Sequence, residues 1–442
     1  MDTKAAAALR VESQTDGRSR RPKPSEASLR IRYSAAADGR PQKKAFVYTK
    51  GEHKIEKKDV DPDALRIVER LRSSGHETYI VGGAVRDLMV GTKPKDFDIV
   101  TEAPPARIKR VFRNSRIIGR RFRLVHVFFG PKIFEVSTFR SLKDGTTSNT
   151  YGSVEEDVLR RDFTFNALLY DPEEEVVVDY VGGFADIKAK RLKPVIPLSI
   201  IFKDDPVRML RAAKYAASTG FKIPLLVRWK IMSQAELLGP VSPSRLTEEI
   251  FKIVNSSRSA AIVASMDSLG LYRFLQPNAS TLMKEDRRFR AAYMESLAQM
   301  DEYAGSDKEL PSGRLLSFMI RDFLDSVVEW KGDLLDSYRS ALSECRAYVL
   351  PMNPPRIELE NAVRLLFREK GVAVKKARTF EKGQRKEGLP ESPKEGPRPE
   401  GAPDERTEEG VAKRRKRRRR RRKGTGGAAA APQGAPPAAS PD

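Results

Sequence analysis

Apolar positions along the chain fall into three regimes. Residues 1–58 are polar and basic without a sustained period, as in "DGRSRRPKPSEASLRIR", and predict a disordered lead-in. "DPDALRIVERLRSSG" then places Leu65, Ile67, Val68 and Leu71 at helical spacing and halts at Gly75. "TYIV" before a double glycine reads as a short buried strand, "AVRDLMVG" as a helix closed by Gly91, and "DFDIV" as a second strand. "PPARIKRVF" predicts a helix with proline at its start, and "LVHVFFG" and "KIFEVSTF" around "GPK" predict a hairpin. "VEEDVLRRDFTFNALLYD" is expected to be helical in its latter half, and "VVVDYVGG" to be a strand and turn. From Asp204 to Glu369 the apolar period becomes helical, with "DDPVRMLRAAKYAASTG" and "SPSRLTEEIFKIVNSS" as amphipathic segments. After Val372 the chain is rich in proline, glycine and charge and cannot build a core.

Charge and cysteine usage narrow the function classes. The 442 residues carry 83 Lys plus Arg against 60 Asp plus Glu, a formal charge of +23, which attracts polyanions such as nucleic acid. The single cysteine, Cys345, excludes an internal disulfide and a cysteine-based zinc site. Three scattered histidines argue against a zinc centre built on imidazoles. No stretch reaches the length of a membrane span and the start lacks a signal-like apolar run, which predicts a cytoplasmic protein.

The chemistry concentrates in "YIVGGAVRDLMVGTKPKDFDIV". Residues i and i+2 of a strand share a face, so Asp96 and Asp98 are expected to project together. Two close carboxylates repel each other, and a divalent cation relieves the repulsion; Mg²⁺ favours such hard oxygen ligands together with phosphate oxygens. Gly82 and Gly83, between a strand and a helix, let backbone N–H groups approach a phosphate.

With these residues in this order, "VGGAVRDLMVGTKPKDFDIV" resembles the signature of the class II nucleotidyltransferases of the polymerase β superfamily, which comprise the CCA-adding enzymes and the bacterial poly(A) polymerases. The resemblance runs from about Val60 to about Gly371. It implies an α+β fold: an N-terminal nucleotidyltransferase head with a mixed β-sheet and helices, then an all-helical neck and body, with disordered basic tails. The implied division is 1–58 lead-in, 59–200 catalytic head, 201–256 neck for base selection, 257–371 body for RNA binding and 372–442 tail. It further implies that Asp96 and Asp98 hold Mg²⁺ and that Gly82, Gly83, Arg86 and Asp87 form the triphosphate turn. "RRDFTFNAL" places Arg161, Asp162 and Asn166 near the nucleotide, and the neck places Asp205, Arg208 and Arg211 at the base. The shorter Asp204 stands where many members have glutamate, so Asp205 and Arg208 are the expected base-reading pair. For the third catalytic acid both Glu135, in "FEVSTFR", and Asp162 qualify; a strand position beside the D-x-D favours Glu135.

"IIGRRFRLVHVFFG" resembles the segment that separates poly(A) polymerases from CCA-adding enzymes, and its Arg120, Arg121 and Arg123 are candidates for RNA phosphates. Every residue from Lys413 to Lys423 is Lys or Arg, including Arg417, Arg418, Arg419 and Arg420, and such a run binds RNA backbone by counterion release. The implied activity is template-independent transfer of AMP from ATP to RNA 3′ ends with release of pyrophosphate. A CCA-adding enzyme is the alternative, and a non-catalytic RNA-binding protein the remaining one. RNA 3′ ends and ATP are the expected partners, with RNA-decay machinery implied by the resemblance.

Overall fold

The computed structural model describes residues 30–35, 41–119, 123–141, 150–305, 311–330 and 334–372. Nine strands form one sheet: β1 Arg30–Ala35, β2 Pro41–Tyr48, β3 Thr78–Val81, β4 Asp98–Thr101, β5 Ser115–Ile118, β6 Leu124–Phe129, β7 Lys132–Thr138, β8 Leu169–Asp171 and β9 Val176–Asp179. Their order is β1-β2-β9-β8-β3-β4-β7-β6-β5. The β4–β7 pair is parallel, joined by a crossover that contains the helix Pro105–Val111 and the β5–β6 strands; the other pairs are antiparallel.

Side-chain alternation gives the sheet two apolar faces. Ile80, Ile99, Val136 and Val177 pack on one face with Ala64, Ile67, Val68 and Leu71 of the helix Pro62–Ser73. Tyr79, Val81, Val100, Leu169 and Val178 pack on the other, against Val154 and Val158. This second face is continuous with the strand positions of Asp98 and Glu135, because Asp98 alternates with Ile99 and Glu135 with Val136. From Ile201 to Glu369 the described residues form helices and no strand, as the change of period predicts. The first face of the sheet and this helical part share one apolar cluster, which includes Met209, Leu210, Ala212 and Ala213 of the helix Val207–Thr219.

Two local expectations are corrected. Residues 30–58, expected to be a disordered lead-in, supply β1, β2 and a short helix, Lys50–His53. The reason is tertiary: β2 pairs with the apolar β9, and Tyr48 stacks on Phe184 with ring centroids 3.7 Å apart. Second, "VEEDVLRRDFTFNALLYD" is helical in its first half, Val154–Leu159, where Ser153 and Glu156 form a capping box. Its latter half is a 3-10 turn, Thr164–Asn166, followed by β8. Phe163 and Phe165 are both buried and stacked 5.8 Å apart, so the backbone follows their packing instead of a helical period.

Candidate active site

The register of β3 and β4 explains why a double glycine and two aspartates recur together. Val81 pairs with Asp98, so the chain leaving β3 turns beside the residue that starts β4. Gly82 has φ +75, and a Cβ there would stand 3.7 Å from Asp98 Oδ2 and 3.9 Å from Arg161 Nη1. Asp96 sits in the approach to the strand and not within it, so the two carboxylates do not share a regular strand face. They nevertheless line the same open cleft, of about 1130 Å³.

Glu135 reaches this cleft through the parallel pair. Ile99 is opposite Val136, which sets Glu135 next to Asp98. Its far side meets His126 Nε2 at 3.5 Å, across the β6–β7 ladder. Asp98 is open to the cleft but otherwise enclosed by protein. Burial first, and then the charges of Glu135 and Asp96, push its carboxyl up to about 6 against the pull of Arg161.

Crowded acids of this kind suit a divalent cation. Among the described residues no three His, Cys, Asp or Glu side chains converge to hold a metal ion by themselves. The donor set fits Mg²⁺ bound by one or two carboxylates with its remaining positions open to phosphate and water.

The opposite wall is cationic. Arg161 is steered by Asp157, with Nη2 donating to Oδ2 at 2.8 Å. Arg140 and Arg160 are also in the cleft lining. Burial, and then the neighbouring Arg140, Arg161 and Arg208, lower Arg160 to about 10. Guanidiniums that repel one another in this way gain from an anion placed between them.

Arg86 and Asp87 occupy a different place from the one expected of them. They are not among the cleft-lining residues. Arg86 is buried and its Nη1 donates to Asn166 Oδ1 at 2.8 Å, while Nε donates to Asp87 Oδ1 at 2.8 Å. Asn166 Nδ2 in turn donates to Asp162 Oδ1 at 3.2 Å, and the same oxygen accepts the Phe163 N–H at 2.8 Å. Arg86 therefore positions the Asn166 side of the cleft from behind. Asp162 fixes the loop, whereas Glu135 stands beside Asp98.

At the helical end, Arg208, Arg211 and Tyr215 recur on one face of the helix Val207–Thr219 and line the cleft. Arg208 N–H donates to the Asp205 carbonyl oxygen at 3.1 Å, while its side chain reaches the preceding acid. Its Nη1 donates to Asp204 Oδ2 at 2.7 Å, and Asp205 Oδ2 accepts from Arg245 Nη2 at 2.8 Å. Two carboxylate–guanidinium pairs thus stand where one was expected. Arg211 lies 3.9 Å from Asp162 and 3.8 Å from Glu249, tying the neck helix to the nucleotide loop.

The cleft brings together Gly82, Gly83, Asp96, Asp98, Glu135, Arg161, Asp162, Asn166, Asp205, Arg208 and Arg211, all named from sequence. It adds Ser137, Arg140, Asp157, Arg160, Lys214, Tyr215, Arg245 and Lys252, which were missed. Lys214 and Tyr215 were within reach, lying three and four residues beyond Arg211 on one helix. Arg123 lies exposed just before β6, away from the lining. Arg120, Arg121, Arg417, Arg418, Arg419 and Arg420 lie outside the described residues.

Two segments of the chain match known family models. Residues 78–193 match the family model described as the Poly A polymerase head domain, and residues 220–283 the one described as the probable RNA and SrmB-binding site of polymerase A. Poly(A) polymerase I of Escherichia coli O157:H7 is 40% identical over 266 residues, covering 57% of this chain and 57% of that protein. Poly(A) polymerase I of Haemophilus influenzae is 36% identical over 266 residues, covering 56% and 59%. The CC-adding tRNA nucleotidyltransferase of Halalkalibacterium halodurans is 35% identical over 217 residues, covering 49% and 55%. The chain spans just over half the length of these curated relatives. Among solved structures, the Bacillus stearothermophilus CCA-adding enzyme in complex with CTP is 25% identical with a TM-score of 0.49, over 70% of this chain and 83% of that one. No described helix is long and apolar enough to cross a membrane.

Proposed function

We propose that this chain, with its segments matching the poly(A) polymerase head and RNA-binding models and its 40% identity to poly(A) polymerase I, adds AMP from ATP to RNA 3′ ends without a template. The observation that carries this reading is the two-ended cleft. Acids line its β3–β4 end, which this reading gives to the phosphates, and the Asp204–Arg208 and Asp205–Arg245 pairs line its helical end, which it gives to the base.

Each end has a part in the transfer. A Mg²⁺ held by Asp96 and Asp98 supplies Lewis-acid polarisation and charge neutralisation at the triphosphate. Gly82 and Gly83 let the backbone close on the phosphates, and Arg161 and Arg160 set fixed positive charge against the pyrophosphate that leaves. Glu135 is placed to take the proton of the RNA 3′-hydroxyl as its oxygen attacks the α-phosphorus in line. The bond to the β-phosphate oxygen breaks, and its electron pair departs with pyrophosphate. Arg208 with Asp204, and Arg245 with Asp205, present donor forks and acceptor pairs that read a nucleobase edge without a template strand.

Relatives at 36–40% identity named poly(A) polymerase support ATP as the substrate, and the CC-adding relative at 35% makes CTP the competitor to exclude. Arg208→Lys keeps the charge and loses the planar fork. The ratio of kcat/KM for ATP over CTP is expected to fall about tenfold or more, the scale of one bidentate base contact, while transfer at saturating ATP persists. Competition kinetics on a single-stranded RNA measure this directly. An unchanged ratio overturns the role given to Arg208.

A further inference from the structure

We propose that a groove lined by Arg70, Arg110 and Arg113, on the outer edge of the sheet, is a second RNA site that grips phosphates upstream of the reacting 3′ end. The proposal rests on the RNA-extending function proposed above and adds a binding surface to it.

The sequence sets up an unusual charge field there. From Ala103 through Phe134 nine residues are Lys or Arg and none is Asp or Glu. That segment folds into the helix Pro105–Val111, then β5 and β6, the last two strands of the sheet, and the start of β7. Some of its cations are already engaged. Lys109 Nζ donates to the carbonyl oxygens of Arg113 and Ser115, and Lys132 pairs with Asp61 at 2.8 Å. Arg110 and Arg113 are exposed and form no ion pair with any described residue.

These two arginines converge with Arg70, from the helix Pro62–Ser73, on a cavity of about 430 Å³. Arg70 is preorganised: Nη2 donates to the Val111 carbonyl at 3.1 Å and the guanidinium lies 5.0 Å over the Phe112 ring. Three guanidinium forks without a carboxylate in the lining match the oxygens of phosphodiesters. Phe128, half-buried at the same cavity, offers a ring to a base.

A route joins this groove to the cleft. His126 and Phe128 are two residues apart on β6 and share a face, about 7 Å apart along the strand. His126 is paired with Glu135, which lines the cleft. In this proposal a single strand whose 3′ end lies at Glu135 follows β6 past Phe128 and crosses from the face that carries Glu135 to the helix-covered face that carries the arginines.

The test is the double variant Arg110→Gln, Arg113→Gln, with binding of a labelled single-stranded oligoadenylate followed by fluorescence anisotropy across a salt series. Affinity at moderate salt is expected to fall about tenfold. The slope of log K against log salt should become shallower by about 1.4, the value for two lost contacts to a single strand. The kcat of AMP transfer to a trinucleotide primer at saturation should be unchanged, because neither arginine lines the cleft. A control removes equal charge at the exposed Lys54 and Lys57. Equal losses in both variants, or unchanged affinity and slope in the groove variant, overturn the site; the latter leaves an acidic protein surface as the better occupant. The binding arm needs no AMP transfer, so failure of the groove is distinguishable from failure of the polymerase reading, in which the unaltered protein leaves the trinucleotide unextended.

Discussion

Asp98→Asn is expected to abolish AMP transfer and, in metal-free protein at neutral pH, to raise thermal stability. Both effects come from one carboxylate. Transfer should fall by about 10³-fold or more, the scale of removing a group that manages transition-state charge, while RNA affinity persists. The stability effect follows from linkage. Asp98 is pushed from 3.8 to about 6 in the folded protein by burial and then by Glu135 and Asp96. Between those values the folded state binds more protons than the unfolded state, so stability falls as pH rises through that window. Above about 6 the ionised acid is held at a cost that asparagine does not carry. Melting curves in chelator should therefore show the variant's advantage absent near pH 4 and full above pH 6. A variant that melts below the parent at pH 7 or higher contradicts the crowded-acid account. Added Mg²⁺ should raise the parent's melting temperature more than the variant's.

The largest loss of stability is expected from Asp179→Ala. Asp179 ends β9 and is fully buried. Its Oδ1 accepts the N–H groups of Val181, Gly182 and Gly183 at 3.0, 2.8 and 3.0 Å, and its Oδ2 that of Phe184 at 3.0 Å. Alanine strands four backbone donors in the turn that starts the helix Gly183–Lys188. At 1–3 kcal/mol for each uncompensated group, and with partial relaxation, the cost is about 4 kcal/mol. The damage reaches the cleft, since Gly183 packs so closely on the Thr164 carbonyl that a Cβ there would clash, and Thr164 opens the turn that carries Asn166. Asp179→Asn keeps the three bonds to Oδ1 and opposes one donor to the Phe184 N–H, so a smaller loss is expected. Urea unfolding of both variants checks the order. A cost near or below about 1 kcal/mol for alanine would show that the turn is held by other contacts.

What was legible in the sequence was local. A strand, two glycines and a helix follow one another in the chain, and Asp96 and Asp98 are two residues apart, so the residues at this end of the cleft could be grouped before any contact was known. What escaped depends on register and long closure. Glu135 was named beside the D-x-D through the resemblance alone, because its approach to Asp98 rests on a parallel pair whose members lie a crossover apart and no local pattern shows it. The Asp205–Arg245 pair joins residues forty positions apart, and no local pattern names Arg245 as the partner. Asp204 was discounted for its short side chain, yet the i,i+4 spacing lets it reach Arg208. The resemblance set Arg86 at the triphosphate turn, but its side chain is directed to Asn166. β2 was missed because its pattern is surrounded by charge, and it is its pairing with β1 and β9 that makes it a strand.

The central claim is tested most directly by an extension gel with the unaltered protein and Mg²⁺, a tRNA lacking its CCA end and an unrelated RNA, each NTP supplied alone. The account requires long ladders from ATP on both RNAs and little product from CTP. A short product confined to the tRNA and dependent on CTP would contradict it and make the chain a CCA-adding enzyme.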